Sequence, residues 1–190
     1  MQVVRAYVFG AVAVVAAVGV AQPLMSAQTK PARKTPQQIM DTHTSPTAKP
    51  GTAAAGRKVF EKTCAQCHIF GGLGSSVGPD LTTINSRFKK RDILESIVFP
   101  SKTISDQYES EIIETADGAM INGLITRETA AGVQIRTATA PEKPMTVPKG
   151  KIKERRKSTV SFIPEGLLDP YTDADIANLL AFLQAPPPAK

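Results

Sequence analysis

Residues 64–68 read Cys64-Ala65-Gln66-Cys67-His68. They contain both cysteines and one of the two histidines in the chain. Two thiols on one helical turn, followed at once by an imidazole, suit few chemistries. A thioredoxin-like redox pair also uses C-x-x-C, but it follows a strand in a βαβ unit; here helical spacing precedes the motif. A zinc site needs four ligands, and beyond Cys64, Cys67 and His68 the only other cysteine or histidine is the distant His43, in a stretch with no apolar period. Covalent haem attachment needs two thiols to add across the porphyrin vinyl groups and an adjacent imidazole for the iron. This motif is read that way: one haem c, Cys64 and Cys67 as thioether anchors, and His68 as the axial metal ligand.

Outward from the motif the pattern is mainly helical. Ala54, Ala55, Val59 and Phe60 have helical spacing and lead into Cys64. Gly71 to Pro79 is a glycine-rich loop. Phe88 to Phe99 reads as a helix, with Ile93, Leu94, Ile97 and Val98 on one face and Pro100 as the stop. Asp173 to Gln184 reads as the closing helix. Thr172 is its N-cap, and Ile176, Leu179, Leu180 and Leu183 form its buried stripe. Between these helices the period changes. Glu109–Thr115, Ala119–Thr126 and Val133–Thr139 are β-rich, and Asp117-Gly118 marks a hairpin. A second turn is expected at Glu128–Gly132, with two short strands at Lys143–Val147 and Lys151–Arg155. The expected fold class is mostly α, with a small β-rich insertion at about 107–157, before the C-terminal helix.

The ends of the chain suggest where it works. Arg5 precedes the uncharged, alanine- and valine-rich run Ala6–Ala21, with small residues at Gly19 and Ala21. Residues 1–21 therefore read as a signal peptide cleaved after Ala21, or as an uncleaved anchor. Both place the rest outside the inner membrane, in the periplasm. Residues 22–51 are rich in Pro, Thr, Ala, Gln and Lys and read as a flexible linker. The domain is expected over 52–185, with 186–190 as a frayed tail. With 190 residues and a net charge of +6, the chain has room for one domain plus extensions. Two cysteines exclude a disulfide scaffold. Lys149, Lys151, Lys153, Arg155, Arg156 and Lys157 form a basic run. It is read first as a solvated, lysine-guarded edge strand, and second as a docking patch for an acidic redox partner. Aromatic residues make up only 5% of the chain, which argues against nucleic-acid binding.

The motif and its surroundings resemble the small class I c-type cytochromes. Gly56 and Phe60 resemble their first helix, Gly78-Pro79-Asp80-Leu81 the loop after the proximal histidine, and Leu180-Ala181-Phe182-Leu183 their terminal helix. The sequence is closer still to the planctomycete/Verrucomicrobium-type haem-binding domain. That resemblance runs through Ser96-Ile97-Val98-Phe99-Pro100-Ser101, Asp117-Gly118, Gly123-Leu124-Ile125 and Pro164-Glu165-Gly166-Leu167-Leu168. It implies a cytochrome c fold and one-electron transfer between redox proteins, among them a separate propeller-type dehydrogenase. It also implies a methionine as sixth iron ligand in a Ser-x-Met-Pro stretch. This chain reads Ser161-Phe162-Ile163-Pro164, and isoleucine cannot bind iron.

Pro79 and Ile163 are therefore expected to shape the two haem faces, Phe162 to line the distal side, and Arg87 to pair with a propionate or to sit at a surface helix start. Met120, Met145, His43, a lysine of 149–157, water or no ligand remain open for the sixth position. The two methionines are read first as core filler. An open or weakly ligated distal side is favoured, which lowers the reduction potential relative to methionine-ligated relatives. The sequence assigns no catalytic residue and reads as an electron carrier rather than an enzyme. The alternative is a haem protein whose open distal site binds small ligands or reacts with peroxide.

Overall fold

A computed structural model describes residues 33–187. The expected signal peptide or anchor over 1–21, residues 22–32 of the expected linker, and residues 188–190 of the tail lie outside the described residues. Among the described residues no helix is long and apolar enough to cross a membrane.

Five helices form the first layer: α1 Pro36–Thr44, α2 Ala53–Thr63, α3 Ile84–Arg87, α4 Lys90–Val98 and α5 Asp173–Gln184. Helix α5 has the expected bounds because its start is doubly capped. The Thr172 hydroxyl accepts from the Asp175 N–H, and the Asp175 carboxylate accepts from the Thr172 N–H. All four residues of its expected stripe are buried. Helices α2 and α5 cross closely at Gly56, where a Cβ would lie 1.9 Å from the Asn178 carbonyl oxygen. Phe60, Phe70 and Phe182 fill the crossing, with tilted rings whose centroids are 4.9–5.9 Å apart. Ile93, Leu94, Leu179, Leu180 and Leu183 complete this core.

The linker expectation fails over its described part. Helix α1 lies inside it, started by a Thr35/Gln38 capping box with proline in its first turn. Its Ile39, Met40 and His43 are buried, and the first two belong to the helical core. The short apolar stripe finds a partner surface, which offsets the entropy that composition alone says the stretch should keep.

The fold class also needs correction. The structure is not mostly α: among the described residues, helices hold 33% and strands 21%. Two two-residue strands, β1 Ile69–Phe70 and β2 Leu73–Gly74, pair beside the motif. The remaining strands are β3 Glu111–Thr115, β4 Met120–Glu128, β5 Gly132–Arg136, β6 Met145–Pro148 and β7 Ile152–Lys157. They form one antiparallel sheet in the order β6-β5-β4-β3-β7. The hairpin at Asp117-Gly118 is present, with Gly118 at φ 84° and its N–H donating to the Thr115 carbonyl. The segment is a second folding layer because it has its own core of Ile113, Val133, Ile135 and Val147, flanked by Ile121, Ile125 and Ile152.

Strand β7 is an edge, and its basic run pairs across to acids. Lys153 meets Glu114 at 2.5 Å, Arg155 bridges Glu111 and Glu128, and Lys157 meets Glu109. Much of the basic run is thus neutralised by its own sheet, in keeping with a guarded edge.

Candidate functional site

Helix α2 delivers the motif. The Cys64 N–H still donates to the Phe60 carbonyl at 2.8 Å, and the N–H groups of Cys67 and His68 turn back on the Cys64 carbonyl at 3.0 and 2.8 Å. The turn exposes a row of carbonyls, and the following loop satisfies them in order. Ser75 donates from its N–H to Ala65 O at 3.0 Å and from its hydroxyl to Gln66 O at 2.5 Å. The Gly78 N–H donates to Cys67 O at 2.7 Å, and the Leu81 N–H to Ile69 O at 2.8 Å. The loop is thus zipped along the motif. The glycine-rich composition predicts a loop but not this pairing.

The zip fixes the imidazole. His68 Nδ1 lies 2.8 Å from the Pro79 carbonyl oxygen. A carbonyl can only accept, so Nδ1 carries the hydrogen and Nε2 keeps its lone pair. Burial lowers the His68 pKa below its ordinary value, against the opposing pull of the Pro79 hydrogen bond. The ring is therefore a neutral, oriented donor through Nε2, the state a metal requires. Gly78 packs on the ring: a Cβ there would lie 2.7 Å from Cε1 and 3.0 Å from Nδ1. Gly74, at φ 99°, lies under the His68 carbonyl, where a Cβ would be 2.0 Å from the oxygen.

Both thiols are free. Burial, with a smaller contribution from Cys67, pushes the Cys64 thiol up to about 12. Burial also raises Cys67, followed by the negative charge of Glu142, while Arg136 pulls the other way. A thiol–disulfide catalyst needs a lowered thiol pKa, so this environment argues against the redox-pair reading. Among the described residues no three His, Cys, Asp or Glu side chains gather as a metal-binding group, so a bare ion has no protein cage there.

The other expected site residues divide. Pro79 is at the site through its carbonyl. Phe162 and Ile163 are half-buried yet packed into neither apolar core. Their segment is tied to the end of α4, with Ser161 N–H donating to Ser101 Oγ at 3.1 Å and Ile163 N–H to Ser161 Oγ at 3.1 Å. Arg87 is exposed, its guanidinium 5.4 Å from the Phe88 ring centroid. Met120 and Met145 are 57% and 46% exposed, so neither is core filler. His43 is buried within α1, beside Asp173 at 3.4 Å. Sequence reading missed Arg136 and Glu142, the two charges that act on Cys67.

One buried and one half-buried free thiol, a neutral imidazole with one free nitrogen, and a glycine pressed against that ring fit a c-type haem. A family model described as cytochrome C oxidase, cbb3-type, subunit III matches residues 51–114, from the residue before the α2 N-cap into β3. The match supports a c-type cytochrome domain with covalently bound haem and redox protein partners, a haem-binding electron carrier in general. No curated protein matches the chain.

Proposed function

We propose that the chain is an exported, mono-haem c-type cytochrome that carries single electrons between redox partners in the periplasm. Cys64 and Cys67 would hold the haem covalently, and His68 Nε2 would ligate its iron. The haem supplies the one-electron couple; the protein supplies ligation, burial and docking. The observation that carries this reading is the His68 Nδ1–Pro79 hydrogen bond of 2.8 Å, which leaves Nε2 as the only metal-competent ring nitrogen. Pro79 orients the ring, Gly78 leaves room for it, and the zipped loop holds both in register. Export rests on the composition of residues 1–21, and an uncleaved segment would leave the domain anchored. A separate dehydrogenase as donor rests on the planctomycete-type resemblance alone.

A second reading is favoured by one observation. Ile163 stands where that resemblance expects a methionine, and the two methionines of the sheet are solvent-exposed. An open distal side lined by Phe162 and Ile163 would bind small ligands. Protein matured in a haem-attaching host separates the readings. Carrier function requires a reversible one-electron titration, with no carbon monoxide binding to the reduced form on the timescale of electron exchange. Rapid carbon monoxide binding and peroxide turnover favour the open-site reading. A near-infrared sulfur-to-iron band in the oxidised protein would show a recruited methionine and refute an open site.

A further inference from the structure

Residues 87–91 read Arg87-Phe88-Lys89-Lys90-Arg91, four cations around one aromatic ring. They form the corner between α3 and α4, where the backbone is extended at Phe88 and Lys89. Arg87, Phe88, Lys89 and Arg91 are exposed, and Lys90 is half-buried. Phe88 keeps 47% of its surface in water and joins neither apolar core. The Arg87 guanidinium lies 5.4 Å from its ring centroid. Among the described residues none of the four cations forms an ion pair. The acids of α4 are committed elsewhere: the Asp92 carboxylate accepts from the Lys89 N–H at 3.1 Å, and Glu95 meets Lys102 at 2.8 Å. The contrast is with β7, where Lys153, Arg155 and Lys157 are bonded to glutamates.

Fold stability does not account for this corner. Lys89, Lys90 and Arg91 are the N-cap and first two residues of α4, where the positive end of the helix dipole disfavours cations. A phenylalanine left in water gives up the gain that burial would bring. Charge without counter-charge and an aromatic ring without a core therefore meet at one place. An anionic phospholipid surface satisfies both, because its phosphates draw the cations and its headgroup zone accepts the ring. An acidic protein face would answer the charges alone. We propose that residues 87–91 make a peripheral contact with an anionic phospholipid surface, Phe88 entering between the headgroups. The export proposed above would deliver the domain beside such a surface. The contact itself does not depend on haem.

The test is vesicle binding by the matured protein. The readout is the ratio of its affinity for equimolar phosphatidylglycerol and phosphatidylcholine over its affinity for phosphatidylcholine alone. An apolar N-terminal segment, if retained, raises both affinities and leaves the ratio unmoved. A cation at an anionic surface is worth about fivefold, so the three exposed ones give a ratio of roughly a hundredfold at low salt, shrinking as salt rises. Lys89→Glu/Arg91→Glu should bring the ratio close to unity. Its thermal midpoint should equal or exceed that of wild type, because acids suit a helix start, so lost binding cannot be put down to lost fold. Phe88→Ala should bind the anionic vesicles several-fold more weakly. Arg127→Glu/Arg156→Glu makes the same change in net charge at exposed positions of the sheet and should keep most of the ratio. A wild-type ratio near unity overturns the proposal, and salt-sensitive retention on polyglutamate would then assign the corner to an acidic protein partner. Equal losses in the corner and sheet double variants overturn it, as does a Phe88→Ala protein that binds like wild type.

Discussion

Replacing Gly78 with alanine should loosen the His68 ring, and the structure sets the size of the effect. The new Cβ would lie 2.7 Å from Cε1, 3.0 Å from Nδ1 and 3.4 Å from Nε2. Ordinary contact begins at about 3.4 Å, so ring or loop must shift by roughly 0.7 Å. Gly78 is not at positive φ, so backbone strain contributes nothing and the cost is steric. The loop cannot withdraw freely, because the Gly78 N–H is bonded to Cys67 O at 2.7 Å. Overpacking of this kind costs about 1–3 kcal/mol, and a lost His68–Pro79 bond adds about 1 kcal/mol. The expected loss is about 2–4 kcal/mol, a drop of roughly 5–15 °C in Tm for a domain of this size. The control is Gly72→Ala. Gly72 sits at φ 84° with nothing within 4 Å of its would-be Cβ, so only left-handed strain of about 1 kcal/mol applies. Denaturant unfolding of the matured protein measures both, and the haem spectrum reports the ligand environment. If Gly78→Ala unfolds within about 0.5 kcal/mol of wild type with an unchanged spectrum, the proposed packing of loop on imidazole is wrong.

Other consequences follow from the same contacts. Gly56→Ala would gain about 1 kcal/mol of helix propensity at an exposed position. Here its Cβ meets the Asn178 backbone at 1.9 Å, so thermal unfolding should show a net loss of at least about 2 kcal/mol. Thr172→Ala removes the α5 cap and should cost about 1 kcal/mol in denaturant melts, with the haem spectrum unmoved. Burial holds the His43 pKa below its ordinary 6.5, with Asp173 opposing and Lys34 and Lys90 adding to the shift. Below pH 6.5 the unfolded chain therefore binds more protons at this site than the native one. Stability should be level above about pH 7 and decline as pH falls through 6. Denaturation midpoints taken across this range should show the decline in wild type and a flatter curve in His43→Gln; a wild-type midpoint that rises on acidification contradicts the burial argument.

The parts of the molecule legible in the sequence are those fixed locally. Helix α5 announces itself through Thr172 and Asp175, spaced three apart before a leucine stripe, and the β3–β4 hairpin through Asp117-Gly118. The motif gave the chemistry because its spacing is itself the geometry a porphyrin needs. Helix α1 went unread because its apolar content is only Ile39 and Met40, set among proline, threonine and lysine. The Thr35-Pro36-Gln37-Gln38 start carried a capping signal that outweighed composition. The strands were expected, β7 among them as a solvated, lysine-guarded edge, but their weight against the helices was underestimated. The acidic partners of β7 lie just before β3, on β3 and on β4, some 27–48 residues away in sequence. The zip of loop carbonyls and amides was likewise invisible, since backbone pairing leaves little trace in residue identity beyond the glycines that permit it.

Intact-mass measurement of the protein, secreted from a host able to attach haem, tests the central claim most directly. The account predicts the mass of the processed chain plus one haem, with the increment resistant to acid–acetone extraction and no longer so when Cys64 and Cys67 are both changed to serine. A bare polypeptide mass from the same host, or a chain carrying only a Cys64–Cys67 disulfide, would contradict it.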